Sequence, residues 1–155
     1  MYRLPNLGYT FRMLASDFNG DGVTDFAIAG VFPGAPPFSY FPGVAVLLGQ
    51  PDGRFAPGIV SEVGGFDAVL GSAGDFNRDG SMDLIVRTRF GSELLLIEGL
   101  GDGTFRPPRQ VSIPSSIHES VTGDFDGDGL ADLATLGTSP QGALGFLFGD
   151  GHGGF

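Results

Sequence analysis

The sequence predicts an all-β fold of short antiparallel strands arranged in three repeated units. Three observations predict it: an acidic nine-residue loop that recurs three times, a glycine-rich turn downstream of each copy, and short apolar runs between them. The acidic segments align without gaps as DFNGDGVTD (17–25), DFNRDGSMD (75–83) and DFDGDGLAD (124–132). The turn motif reads LGQPDGRF (48–55), EGLGDGTF (98–105) and FGDGHGGF (148–155), and its closing Phe55, Phe105 and Phe155 are 50 residues apart. Self-similarity at a fixed period of this size marks a repeat architecture.

Each unit resolves into four strands, A to D. Small and apolar residues before the acidic loop, as in AVLGSAG (68–74) and SVTG (120–123), form strand A. Strand B follows the loop: DFAIAG (25–30), DLIVRT (83–88) and DLATLG (132–137). Strand C precedes the turn: VAVLLG (44–49), LLLIEG (94–99) and LGFLFG (144–149). Strand D comes after it, as in RQVSIP (109–114). These runs are bounded by Gly, Pro or Asp and are too short for helices. Several are apolar at consecutive positions, as in a sheet covered on both faces. The Asp-Gly pairs at 52–53 and 102–103 are hairpin turns.

Four strands in about fifty residues make the unit of a β-propeller blade. The expected fold is therefore three four-stranded antiparallel blades, with strand A innermost. A meander puts the A–B and C–D connections on one face and the B–C and D–A connections on the other, so the acidic loop and the turn share a face. YRLP (2–5) aligns with VSIP (111–114), so residues 1–5 are expected to be a strand D that closes a ring. The blades then occupy 6–58, 59–108 and 109–155 of a domain spanning 1–155. Three blades are too few for a ring of about four or more. The chain is expected to be part of a longer propeller, or one half of a six-bladed ring made by two copies head to tail.

Composition narrows the partners. Apolar residues make up 41% of the chain, enough for a core, and no cysteine is present to staple it. No leader-like N-terminus and no apolar run near ~20 residues occurs, so membrane insertion is not expected and any secretion signal should lie outside this sequence. Eighteen acidic residues against eight arginines and no lysine give −10, which disfavours nucleic acid and anionic lipid as partners. Ten of the acids lie in the three loops, where they repel one another unless a cation sits among them; three Ca²⁺ would bring the charge to −4.

The spacing D-x-[DN]-x-D-G-x-x-D turns side chains 1, 3 and 5 inward and adds a backbone carbonyl at position 7 and a carboxylate at position 9. The candidate ligands are Asp17, Asn19, Asp21, Val23 and Asp25; Asp75, Asn77, Asp79, Ser81 and Asp83; and Asp124, Asp126, Asp128, Leu130 and Asp132. Hard oxygens in this number suit Ca²⁺. Gly22, Gly80 and Gly129 allow the sharp turn, and the lack of nitrogen or sulfur ligands disfavours zinc and copper. An EF-hand needs glutamate at position 12 and flanking helices. Ile28, Val86 and Thr135 stand there, and the flanks are strands, so an EF-hand is excluded. The third loop has four carboxylates against three in the others and should bind most tightly.

These motifs resemble the FG-GAP or VCBS repeats of integrin α-chain propellers, fungal lectin propellers and many bacterial secreted proteins. The likeness covers essentially the whole chain. It implies about three calcium ions per chain, bound at the three loops, an extracellular, cell-surface or periplasmic location, and ligand recognition on the face opposite the calcium loops. The first unit departs from the pattern, with 38 residues from Asp17 to Phe55 against 30 and 31 in the others. The extra length falls in VFPGAPPFSYFPG (31–43), read as a loop on that opposite face. Its Phe32, Phe38, Tyr40 and Phe41 are candidate contacts for a carbohydrate or an extracellular protein, or else they cover a neighbouring blade.

No catalytic site is expected. His118, read as lying in a D–A connector, and His152, in a turn, lack a nucleophile at suggestive spacing; strand alternation separates Glu93 from Glu98, and Arg87 with Arg89 reads as a solvated edge, an ion pair with Glu93 or a carboxylate grip. The leading expectation is a calcium-stabilised binding or adhesion module. The alternative is a non-catalytic propeller segment of a larger secreted carbohydrate-active enzyme, with a structural spacer third.

Overall fold

The structure is a computed structural model that describes residues 10–33, 40–63, 68–88, 93–113, 116–137 and 142–155. The described residues hold eleven strands and no helix. The first sheet runs β1 (Thr10–Ser16), β2 (Asp25–Pro33), β3 (Tyr40–Leu47), β4 (Ile59–Glu62). The second runs β5 (Ala68–Gly74), β6 (Asp83–Thr88), β7 (Leu94–Ile97), β8 (Arg109–Val111). The third contains β9 (Ile117–Gly123), β10 (Asp132–Gly137) and β11 (Leu144–Leu147). Every pairing is antiparallel between chain neighbours, so each sheet is a meander with strand A at its edge.

Period-two alternation explains the unbroken apolar runs of the middle sheet. Leu84, Val86, Leu95 and Ile97 face the first sheet and pack with Ala27, Ala29, Val44, Val46 and Val63. The interleaved Ile85, Leu94 and Leu96 face the third sheet and pack with Ile117 and Leu133. A sheet buried on both faces needs both sets apolar, and the sequence supplies them.

The sheets fan rather than stack in parallel. Stacked sheets sit ≈ 10 Å apart, so the first and third would be separated by about 20 Å if parallel. Yet Arg12 of β1 forms an ion pair with Glu119 of β9, past the intervening β5. Ser72 of β5 and Ser120 of β9 also meet through their hydroxyls, at 3.5 Å. The A strands therefore converge, as the inner strands of propeller blades do, and the small residues of AVLGSAG suit that crowding.

Three expectations change. The blade boundaries at 58/59 and 108/109 follow the sequence period, but β4 pairs with β3 and β8 with β7, so the first and second sheets take their last strand from the start of the next unit. The stretch 31–43, read as an extended loop, is mostly strand: β2 continues to Pro33 and β3 begins at Tyr40, with Phe32 directly across from Phe41. His118 lies within β9 rather than in a connector, and is exposed. The predicted strand D at residues 1–5 lies outside the described residues, and three of the four strands expected for the third blade are seen among them.

Candidate metal centre

The three acidic loops join strands A and B at one end of each sheet, and they are already folded around their first aspartate. Asp17 accepts backbone N–H groups from Gly20, Asp21 and Gly22 at 2.8, 3.2 and 2.8 Å. Asp75 accepts from Asp79 and Gly80, and Asp124 from Gly127 and Gly129. The chain can wrap so tightly because position 6 is glycine with φ of 83–86° (Gly22, Gly80, Gly129), a conformation that costs other residues about 1–2 kcal/mol.

Positions 5 and 7 are fixed next. The Val23, Ser81 and Leu130 amides donate to Asp21, Asp79 and Asp128, each at 2.8 Å, which sets the backbone of the residues whose carbonyls are the expected ligands. At position 3 the loops differ. Asn19 and Asn77 donate their amides to Asp21 and Asp79 at 2.9 and 3.0 Å. In the third loop Asp126 replaces asparagine, and oxygens of Asp124, Asp126 and Asp128 lie within 4.8 Å of one another, all solvent-exposed. This donor set is oxygen only, which fits a hard divalent cation and not a thiophilic one.

The ninth-position aspartates are placed differently from the rest. Asp25, Asp83 and Asp132 are fully buried. One oxygen of each accepts the amide of the phenylalanine that follows the first loop aspartate, and the other accepts the glycine that ends strand C. For Asp83 these donors are Phe76 at 3.0 Å and Gly99 at 2.8 Å. Asp25 holds Phe18 and Gly49, and Asp132 holds Phe125 and Gly149, in the same way. Sequence reasoning took these residues as ligands alone and missed the clamp. The recurring glycine at 49, 99 and 149 was the available signal. A Cβ there would collide with the carbonyl of Thr24, Met82 or Ala131 just ahead of the aspartate.

Burial pushes the Asp83 carboxyl up to about 6, although the Gly99 and Phe76 amides pull it down. Asp17 and Asp79 are held below the ordinary carboxylate range, chiefly by the Gly22 and Ser81 amides respectively. In the metal-free chain, native Asp83 therefore binds its proton more tightly than the unfolded chain does. Its contribution falls as pH rises from about 4 to about 6, by on the order of 1–3 kcal/mol. Asp17 and Asp79 have the opposite sign and weaken the fold below about pH 4. Urea unfolding in chelator should show higher stability at pH 4.5 than at pH 7; the reverse order would show that the clamping amides outweigh burial at Asp83.

The acidic loops are also tied between sheets. The Gly103 amide donates to the Phe18 carbonyl at 3.1 Å, and the Gly153 amide to the Phe76 carbonyl at 2.8 Å. Phe105 and Phe155 of the same turns meet Phe18 and Phe76 edge-on, at 6.1 and 5.6 Å. Arg109 of β8 bonds Glu98 and reaches the His152 and Gly153 carbonyls of the next turn. The second and third turn motifs thus dock on the acidic loop of the preceding sheet.

At the opposite end, the candidate ligand aromatics separate. Phe32 is 1% exposed, so the expectation that it contacts ligand is corrected: its ring packs beside Phe41 at 6.3 Å and covers Gly43. Tyr40 is 59% exposed and Phe41 half-buried. Phe38 and Arg89 lie outside the described residues. Arg87, on β6, sits in the field of Glu119 and Arg12, and burial lowers its pKa.

Meander sheets fanned about their first strands, each with an acidic A–B loop, are the blades of a propeller-type module. The FG-GAP-like repeat family matches residues 17–86 and 75–135, and the chain belongs to that family. No curated protein matches it.

Proposed function

We propose that this chain is a calcium-stabilised extracellular binding module, with no catalytic role, that recognises a carbohydrate or protein partner on the face opposite its acidic loops. The observation that supports calcium most directly is the convergence of Asp124, Asp126 and Asp128 in a loop repeated in register at 17–25 and 75–83. Residues 1, 3 and 5 of each loop would hold the ion, with the position-7 carbonyl. The ninth-position carboxylates keep lone pairs beyond the two that the clamp uses, since a carboxylate has about four acceptor sites. Bound Ca²⁺ would neutralise clustered charge and lock the A–B hairpin, so that binding adds to folding free energy. Family membership and the Ca²⁺ levels outside cells favour an extracellular setting.

On the far face, Tyr40 presents an exposed ring at the end of a strand pair that the other blades lack at this length. Such a ring can stack on a sugar or anchor a protein contact.

The test is calorimetric titration of Ca²⁺ into the metal-stripped chain, with Mg²⁺ as control. About three sites and a weak Mg²⁺ response are expected; absence of heat would remove the metal assignment. Glycan-array binding that is lost in Tyr40→Ala would place the ligand surface, and binding unaffected by that change would move it elsewhere.

A further inference from the structure

The two junctions between neighbouring sheets follow one plan but are built from different residues. At each, a turn glycine donates to the carbonyl of the loop phenylalanine, Gly103 to Phe18 and Gly153 to Phe76. Around that shared bond, four positions of the earlier sheet change character. Gly20, Leu48, Ala56 and Ile59 at the first junction correspond to Arg78, Glu98, Arg106 and Arg109 at the second.

The first junction is flanked by apolar groups. A Cβ on Gly103 would lie 3.0 Å from Leu48 and 3.6 Å from Ile59, so both side chains press against the turn. The second junction is flanked by charge. Arg109 donates its Nε to Glu98 at 3.1 Å and its Nη2 to the carbonyls of His152, at 3.2 Å, and Gly153. Arg106 stands 3.6 Å from the other Glu98 oxygen. From the acidic loop, Arg78 lays its aliphatic stem against Gly151 of the same turn. The turn itself changes to match, with Asp150 where the second turn has Leu100. The His152 and Gly154 amides, and more weakly the charge of Arg109, hold the Asp150 carboxyl below the ordinary range.

We propose that the second junction is an ionic latch and the first an apolar one, so that rising ionic strength opens the fan between the second and third sheets while the first junction stays closed. Glu98 and Arg109 are both partly exposed, so screening ions reach the pair. The contact of Leu48 and Ile59 with the Gly103 turn carries no charge to screen.

Amide hydrogen exchange of the whole chain in calcium, at about 0.1 M and about 1 M NaCl, tests this. Over that range the Debye length falls from about 10 Å to about 3 Å. The Gly103 and Gly153 amides each report one junction. The loops on which they dock, at 17–25 and 75–83, carry the same carboxylates, so any effect of salt on calcium binding falls on both alike. The Arg12–Glu119 pair links the first sheet to the third across both junctions, so its screening favours neither amide. Exchange at Gly153 is expected to accelerate about threefold or more relative to Gly103. Glu98→Leu combined with Arg109→Ile gives the second junction the residues of the first and should abolish the difference. An equal salt response of the two amides in the parent would overturn the proposal, as would a difference that persists in the folded double variant. The parent measurement decides the point whether or not that variant folds.

Discussion

Calcium is expected to raise the melting temperature of this chain by 10 °C or more over the chelated form. Open extracellular loops bind with Kd of about 10⁻⁴–10⁻³ M, so about 10 mM Ca²⁺ exceeds Kd by roughly ten- to a hundredfold. Each site then contributes about 1.4–2.7 kcal/mol, and three independent sites about 4–8 kcal/mol. For a domain of this size one kcal/mol moves the midpoint by about 2–4 °C. Scanning calorimetry in Ca²⁺, Mg²⁺ and chelator measures the effect, and a shift below about 3 °C would sink the three-site reading. Asp126→Asn makes the third loop resemble the first two, so it should weaken one site while leaving the other two unchanged.

The second large effect is Asp83→Ala, which should destabilise the chain by about 3–5 kcal/mol, a large share of the total stability of an ordinary domain. The carboxylate is buried and is the acceptor for two backbone amides, Phe76 and Gly99. Its removal strands both donors at about 1–3 kcal/mol each. Asp83→Asn keeps one acceptor and should fall between parent and alanine. Urea titrations of the three proteins in chelator, which removes any contribution from lost metal, give the order. Equal stability of all three would show that the clamp contributes nothing beyond ligation.

The fold was legible because its signals are local and periodic. Strand lengths, consecutive apolar residues in DLIVRT and LLLIEG, and the three-fold acidic loop each have a single simple structural reading. The site was legible in part. Asp17, Asp75 and Asp124 stand where the loop spacing puts them. The dual engagement of Asp25, Asp83 and Asp132 was hidden because one partner, the glycine ending strand C, lies 16 to 24 residues away. Spacing rules for a loop do not reach that far. Phe32 was misjudged for a related reason. Its neighbours Pro33, Gly34, Pro36 and Pro37 signal a turn, but the cross-strand partner Phe41 extends the sheet to Pro33 and buries the ring. Arg78 went unremarked although it adopts φ of 61° where the other loops have glycine, with its side chain laid against Gly151 of the next turn.

The offset between sequence period and sheet has a consequence for how such a chain lengthens. A segment cut at the repeat boundary begins with the last strand of one blade and ends before the last strand of its own. Inserted between two units, it would give its first strand to the blade before it and receive one from the unit after it. Its turn glycine would dock on the preceding acidic loop, and its own loop would receive the next. Copying in this frame adds a blade by replacing one seam with two of the same kind and leaves the other seams untouched. The same overlap works against loss: excising one sheet by its structural limits, rather than by its period, would open two seams at once.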